Sequence, residues 1–357
     1  MDFGGCYEFL LGVRGYGVLG WGILPSPLIS FACLYVFRQM NGFLRFLSAL
    51  PLPASGVMLA VASLGILFPQ FFGAAVPFPE AGMVLHALCG TVSAVLWILL
   101  ILKTVFFFPQ ITSAFCDPIP ASVAGTFPMG TMALSVYLAE IAGSAAVLLW
   151  YAGIFLHAAL IVFFSLRFLR HPKLSQMVPS WLVVYVGIVL AAITAPYFNQ
   201  LLAGQIIFWF GAVLVVPLTI VLLIRCKKMP LAEPARPLIC IFAAPVSIIL
   251  AGYLQSFTAN AGIVFAFLLL ETAVLALVLL KLPSLLRLPF YPSYAAFTFP
   301  FVVTATAYLF GVELLVESGL LSVGWYAVPA LVILLASVLI CYVAVRYALF
   351  LRQAVTG

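Results

Sequence analysis

Apolar positions along this chain come in blocks of about 20 residues, long enough to cross a bilayer as a helix, and every second block ends in Lys or Arg. The marks are Lys103, Arg167 with Arg170, Arg225 with Lys227 and Lys228, Lys281, and Arg346 with Arg352. Between consecutive marks there is room for two spans and a turn, so the chain reads as five helical hairpins. The ten predicted spans are 54–71, 84–108, 122–141, 144–167, 180–198, 203–225, 238–256, 261–281, 294–315 and 325–349. Pro109, Pro172, Pro230 and Pro283 follow the basic marks and separate one hairpin from the next, because proline cannot continue a helix beyond its first turn.

The opposite hairpin ends carry Glu80, Glu140, Glu313 and Glu317 and lack basic residues. Since Lys and Arg are retained on the cytoplasmic side during insertion, the asymmetry predicts both ends of the ten-helix unit inside and a multi-pass protein of the cell membrane.

Odd and even spans differ in kind. The third, seventh and ninth are rich in Ala, Gly, Ser and Thr, whereas the even spans are bulky and aliphatic. Small residues let backbones approach closely, so the odd spans are expected inside and the even ones against lipid. The same three odd spans share a repeat: Pro128, Pro245 and Pro300, followed eight or nine residues later by Tyr137-Leu138, Tyr253-Leu254 and Tyr308-Leu309. Each proline removes a donor and is expected to free a carbonyl four residues back, at Ala124, Ile241 and Ala296. Kinked helices with freed carbonyls around one axis point to a central conduit; the alternative is that the prolines only bend packed helices.

Residues 1–47 read as an extension of a ten-helix unit at 48–352. Val18 to Phe37 is apolar enough for an eleventh span but contains Pro25 and Pro27, and Met40 stands just before the first hairpin, so an extra helix and a misassigned upstream start are both open. Gly15-Tyr16-Gly17-Val18-Leu19-Gly20 matches a dinucleotide fingerprint without its strand–turn–helix context or a following acid, and reads as coincidence.

Composition narrows the class. The chain is 66% hydrophobic and 7% charged, with a mean hydropathy of +1.29, where soluble domains carry about 25% charged residues. The net charge of +6 is spread singly over helix ends, which excludes a nucleic-acid surface. Cys6, Cys33, Cys89, Cys116, Cys226, Cys240 and Cys341 show no paired spacing and read as packing residues. Hydrolase, P-loop and zincin motifs are absent, and His86, His157 and His171 are too scattered for a metal site, so no cofactor and no enzyme activity are expected.

Three features bear on transport. Glu271 and His157 lie deep in even spans, where an ionisable group is costly unless paired or wetted; the readings are a proton relay, a substrate contact, a helix–helix hydrogen bond or a subunit contact. Phe127 and Phe299 immediately precede Pro128 and Pro300, and rings aimed into a narrow conduit would close it by dewetting. Odd spans also lack Lys and Arg, and their acids, Glu140 and Glu313, lie towards the outer ends, so an anion would be held weakly and released easily.

The ordered set Leu50-Pro51-Leu52-Pro53, Ser93-Ala94-Val95-Leu96-Trp97-Ile98-Leu99, Val178-Pro179-Ser180-Trp181, Ala243-Ala244-Pro245 and Thr298-Phe299-Pro300 resembles the tellurite-resistance/dicarboxylate transporter family, which includes the slow anion channels of plant guard cells. The resemblance covers about 50–350 and implies a quasi-fivefold arrangement of the hairpins, odd helices around a central pore, a homotrimer of independent pores, and occlusion by phenylalanine, with Phe299 as the main gating residue. Val57, Val189 and Ser247 stand where some members have Phe, and residues 1–39 have no counterpart. The expectation is an all-α integral membrane channel or transporter for small inorganic or carboxylate anions. Its alternatives are a proton-coupled carrier of C4-dicarboxylate, sulfite or tellurite, with Glu271, Glu140 or Glu313 as proton sites, and an intramembrane enzyme or sensor.

Overall fold

The computed structural model describes residues 42–76, 78–139, 141–170 and 172–356. The amino-terminal extension, the 15–20 glycine motif, Glu140 and His171 lie outside the described residues. Among those described, every regular element is helical, and nine helices are long and apolar enough to cross a membrane. A helix satisfies its own backbone donors and acceptors, which is the condition for standing in hydrocarbon.

The first four are α1 (Ala54–Ala75), α2 (Pro79–Phe106), α3 (Pro118–Ala139) and α4 (Gly143–Leu169). The fifth element, α5, runs in pieces, Trp181–Tyr185 and then Gly187–Phe198, and is shorter than the uninterrupted span expected at 180–198. The break falls at Gly187, where a Cβ would stand 2.6 Å from the Met129 sulfur of α3, so the two backbones cross closely. Asn199, with φ 54° in the left-handed region, ends α5 and starts the turn into the next helix. The remaining helices are α6 (Leu201–Lys228), α7 (Glu233–Ser256), α8 (Ala261–Leu286), α9 (Pro292–Glu317) and α10 (Val323–Thr356).

The odd helices close on themselves. α1 packs on α3, α3 on α5, α5 on α7, α7 on α9, and α9 again on α1. The even helices lie outside this ring, α2 on α1, α4 on α3, α6 on α5 and α7, α8 on α9, and α10 on α9 and α1. Burial follows: 50, 78, 67 and 72% of the central windows of α1, α3, α7 and α9 are buried, against 17 to 39% for the even helices. Ala/Gly/Ser/Thr-rich spans therefore do form the inside, and the bulky aliphatic ones present Leu148, Phe155, Leu202, Leu280 and Leu331 outward.

Hydroxyls join every neighbouring pair in the ring. Ser55 Oγ lies 2.6 Å from Thr126 Oγ1, Ser122 Oγ 2.7 Å from Ser180 Oγ, and Ser247 Oγ 2.9 Å from Thr304 Oγ1. Ser256 Oγ donates to the carbonyl of Ala192 at 3.4 Å, and Thr298 Oγ1 to that of Gly56 at 3.3 Å. In hydrocarbon such bonds replace the hydrophobic drive that lipid cannot supply, each contributing about 0.6 to 2 kcal/mol. The repeated tyrosines stitch in the same way: Tyr137 donates to the Ala62 carbonyl at 2.6 Å, Tyr308 pairs with Thr272 at 2.6 Å, and Tyr253 accepts from the Asn260 N–H at 2.9 Å.

Candidate functional site

The repeated prolines stand at junctions between a tight turn and an α-helix, and do not kink a continuous helix. In α7 a 3₁₀ run, Glu233–Ala243, gives way to an α-helix at Ala244. In α9 the run Pro292–Phe297 gives way at Phe299, and in α3 the helix restarts at Thr126 after Val123. Proline at the first turn of a helix removes a donor that has no intrahelical partner anyway. Two of the carbonyls expected to be free are therefore engaged: Ala124 accepts from the Phe127 N–H at 3.0 Å, and Ile241 from the Ala244 N–H.

Inside the ring, four cavities follow one another. At the end carrying Lys103, a cavity of about 580 Å³ is bordered by Lys103, Asp117 and Tyr291. It shares Pro53, Val123 and Ser293 with a second, of about 60 Å³, whose wall draws on all five odd helices through Gly56, Met129, Val186, Ile248 and Ala296. A third, of about 30 Å³, is bordered by Ser63, Ala133, Ile193 and Thr306. The second and third have a single residue in common, Phe299, whose ring is 8% exposed. Gln70 and Phe310 then separate the third from an outer cavity of about 480 Å³ that carries Glu313 and Glu317.

The second cavity is also where helices begin. Thr126, Ala244 and Phe299, the first residues of three α-helices, all border it, as do Pro245 and Pro300. The turns before them take up several of their first N–H groups, Phe127 by Ala124, Met129 by Gly125, Ala244 by Ile241 and Phe301 by Thr298, so what these starts offer the cavity is the positive end of the helix dipole.

Phe127 is placed elsewhere. It borders a lateral cavity of about 410 Å³ between α2 and α4, with Pro128, Leu100, Leu156 and Phe163. Val57, Val189 and Ser247 do not border the central cavities either. Val189 packs where Cβ atoms on Gly211 and Gly252 would stand, and Ser247 bonds to α9. The sequence reading missed Met129, Val186, Ile193, Ile248 and Phe310 as wall residues. Their aliphatic or aromatic type is shared with the core, so no sequence signal distinguishes them.

Glu271 is fully buried in α8 and faces α9, with Oε1 3.1 Å from Thr304 Oγ1 and Oε2 without a partner. His157, also fully buried, donates from Nε2 to the Val184 carbonyl at 2.9 Å and ties α4 to α5. Neither borders a central cavity. Two of the basic marks are buried clamps: Lys103 donates to the carbonyls of Leu47 and Ser48 at 3.1 and 2.8 Å, and Arg225 to those of Met229 and Ser175 at 3.0 and 3.2 Å. Arg346 stands 5.6 to 6.0 Å from the rings of Phe290, Tyr294 and Tyr342. Among the described residues no cluster of three or more His, Cys, Asp or Glu has metal-binding geometry.

The structure is that of an all-α, multi-pass membrane protein with a row of cavities inside a closed circle of helices. The chain belongs to the SLAC1 family of voltage-dependent anion channels, whose family model matches residues 49–347. Membership points to transport and away from catalysis. No curated protein matches the chain.

Proposed function

We propose that this protein is an anion channel of ten membrane-crossing helices, quasi-fivefold about the row of cavities, and closed at rest by Phe299. The observation that carries the reading is that Phe299 is the one residue common to the two narrow cavities, one on each side of its ring. A ring in an apolar constriction excludes water and so excludes a hydrated ion. Charge selection rests on the three helix starts at the second cavity, which favour an anion without a fixed cation to trap it.

The homotrimer and the orientation with Lys103 towards the cytoplasm belong to the same proposal, supported by the family resemblance and by the basic even-helix ends. The test is Phe299→Ala reconstituted at equal density of assembled protein. The anion conductance should rise about tenfold or more, each 1.4 kcal/mol removed from the barrier being tenfold. An unchanged or lower conductance removes Phe299 from the gate.

A proton-coupled carrier of dicarboxylate, sulfite or tellurite is the second reading. Glu271 favours it, as a buried carboxyl with one oxygen uncommitted.

A further inference from the structure

Among the hydroxyls of the five odd helices, one stands apart. Ser55, Ser122, Thr126, Thr131, Ser135, Ser180, Thr194, Ser247, Ser256, Ser293, Thr298, Thr304 and Thr306 all have partners. Ser63 Oγ is buried and has none, and Ser63 borders the third cavity. A serine inside a helix ordinarily returns its proton to a carbonyl one turn back; ten of these thirteen do so, and Ser180, Ser256 and Ser293 bond to other segments.

The same cavity is bordered by Gln70, two turns beyond Ser63 on the same face of α1, and by Tyr197 of α5, whose side chains are hydrogen-bonded to each other, Gln70 Nε2 donating to the Tyr197 oxygen. Tyr197 then keeps its own proton to give. With the amide turned over, Tyr197 would donate to Gln70 Oε1, and the Gln70 N–H groups would be left over. As placed, Gln70 Oε1 is buried without a partner; turning the amide over gives that oxygen the Tyr197 proton, and the pair presents a free donor in both arrangements. The cavity thus gathers at least two uncommitted donors, no acid borders it, and Glu313 and Glu317 belong to the next cavity out.

We infer that this space between Phe299 and Phe310 is a binding site for one small monovalent anion of halide size, held by the Ser63 hydroxyl and the Tyr197–Gln70 pair. The volume of about 30 Å³ admits one or two water-sized bodies and no dicarboxylate. Ser63 is one ligand, and the Tyr197–Gln70 pair supplies the other through whichever donor it leaves free, the phenol O–H or the amide N–H. The inference deepens the channel reading, giving the conduit a stopping place immediately outside the gate.

Bromide is the probe. Anomalous diffraction from crystals of the full chain grown in bromide should show a peak between Phe299 and Phe310, within hydrogen-bond reach of Ser63 and of the Tyr197–Gln70 pair. Ser63→Ala and Tyr197→Phe, each the loss of a single oxygen, should each weaken bromide binding to the detergent-purified chain roughly tenfold, the ordinary loss for one bond to a charged group. A constriction without bromide in the wild-type protein, or affinity unmoved by both substitutions, overturns the site. The channel reading fails separately: bromide bound at this place together with a Phe299→Ala conductance no higher than wild type leaves the site standing and removes the gate.

Discussion

Phe127 lies parallel to Trp97, with ring centroids 6.5 Å apart and 1° between their planes. This stack joins α3 to α2, and Trp97 reinforces it by donating from its indole N–H to Thr131 at 2.9 Å. The two Thr-Phe-Pro segments thus have different surroundings: Phe299 borders the two narrow central cavities, and Phe127 the lateral one.

Phe127→Ala therefore tests the difference between the segments. Its conductance per assembled protein should equal that of the wild type, while stability falls by about 2 kcal/mol or more through loss of packing. Thermal unfolding in detergent beside single-channel recording reads both quantities. A conductance raised as by Phe299→Ala would put Phe127 back in the gate.

Glu271 and Thr304 offer a second comparison. Thr304→Val takes a donor from the carboxyl and a partner from Ser247, and should cost about 1 to 3 kcal/mol in thermal unfolding. Glu271→Gln keeps an oxygen for Thr304 and should cost less. In a channel the Gln variant conducts as before; in a proton-coupled carrier it loses uptake driven by a pH gradient, so vesicle flux with and without that gradient separates the two readings.

Gly90→Ala should destabilise by about 1 to 3 kcal/mol through overpacking. The added methyl would meet the ring of Tyr137, which has little freedom to retreat. Its hydroxyl is fixed to the Ala62 carbonyl, and its face is stacked on His86 at 4.2 Å. Yield of folded protein and unfolding temperature are the measurements.

Cysteine exposure gives a topology test. Cys116 is exposed at the end bearing Lys103, and Cys240 is buried. A membrane-impermeant thiol reagent should label Cys116 in inverted vesicles, spare it in intact cells, and leave Cys240 unmodified in both. Labelling of Cys116 from outside reverses the orientation.

The inside–outside division of helices was legible in the sequence because small residues and bulky aliphatics are sorted by what they touch, and that sorting alternates span by span. The tyrosine repeat was legible as a pattern, but its role was not: the hydroxyl partners of Tyr137, Tyr253 and Tyr308 come from separate segments. Which residues line the central cavities was also hidden. Helix rotation decides between Gly56 and Val57, or Ile248 and Ser247, and a break such as the one at Gly187 resets that rotation. Glu271 drew notice through its cost in hydrocarbon, whereas Ser63 is unremarkable until every neighbouring hydroxyl is seen to be committed.

The junctions in α7 and α9 would give the gate proposed at Phe299 a way to turn. A 3₁₀ helix advances about 2.0 Å and 120° per residue, an α-helix about 1.5 Å and 100°. Each residue that passes from the 3₁₀ to the α form at Ala243 or Phe297 therefore shortens its helix by about 0.5 Å and rotates everything beyond it by about 20°, and the reverse passage undoes both. For Phe299, two residues past such a junction, such a change would be a screw motion, carrying the ring sideways from its place between the two narrow cavities as it shifted along α9.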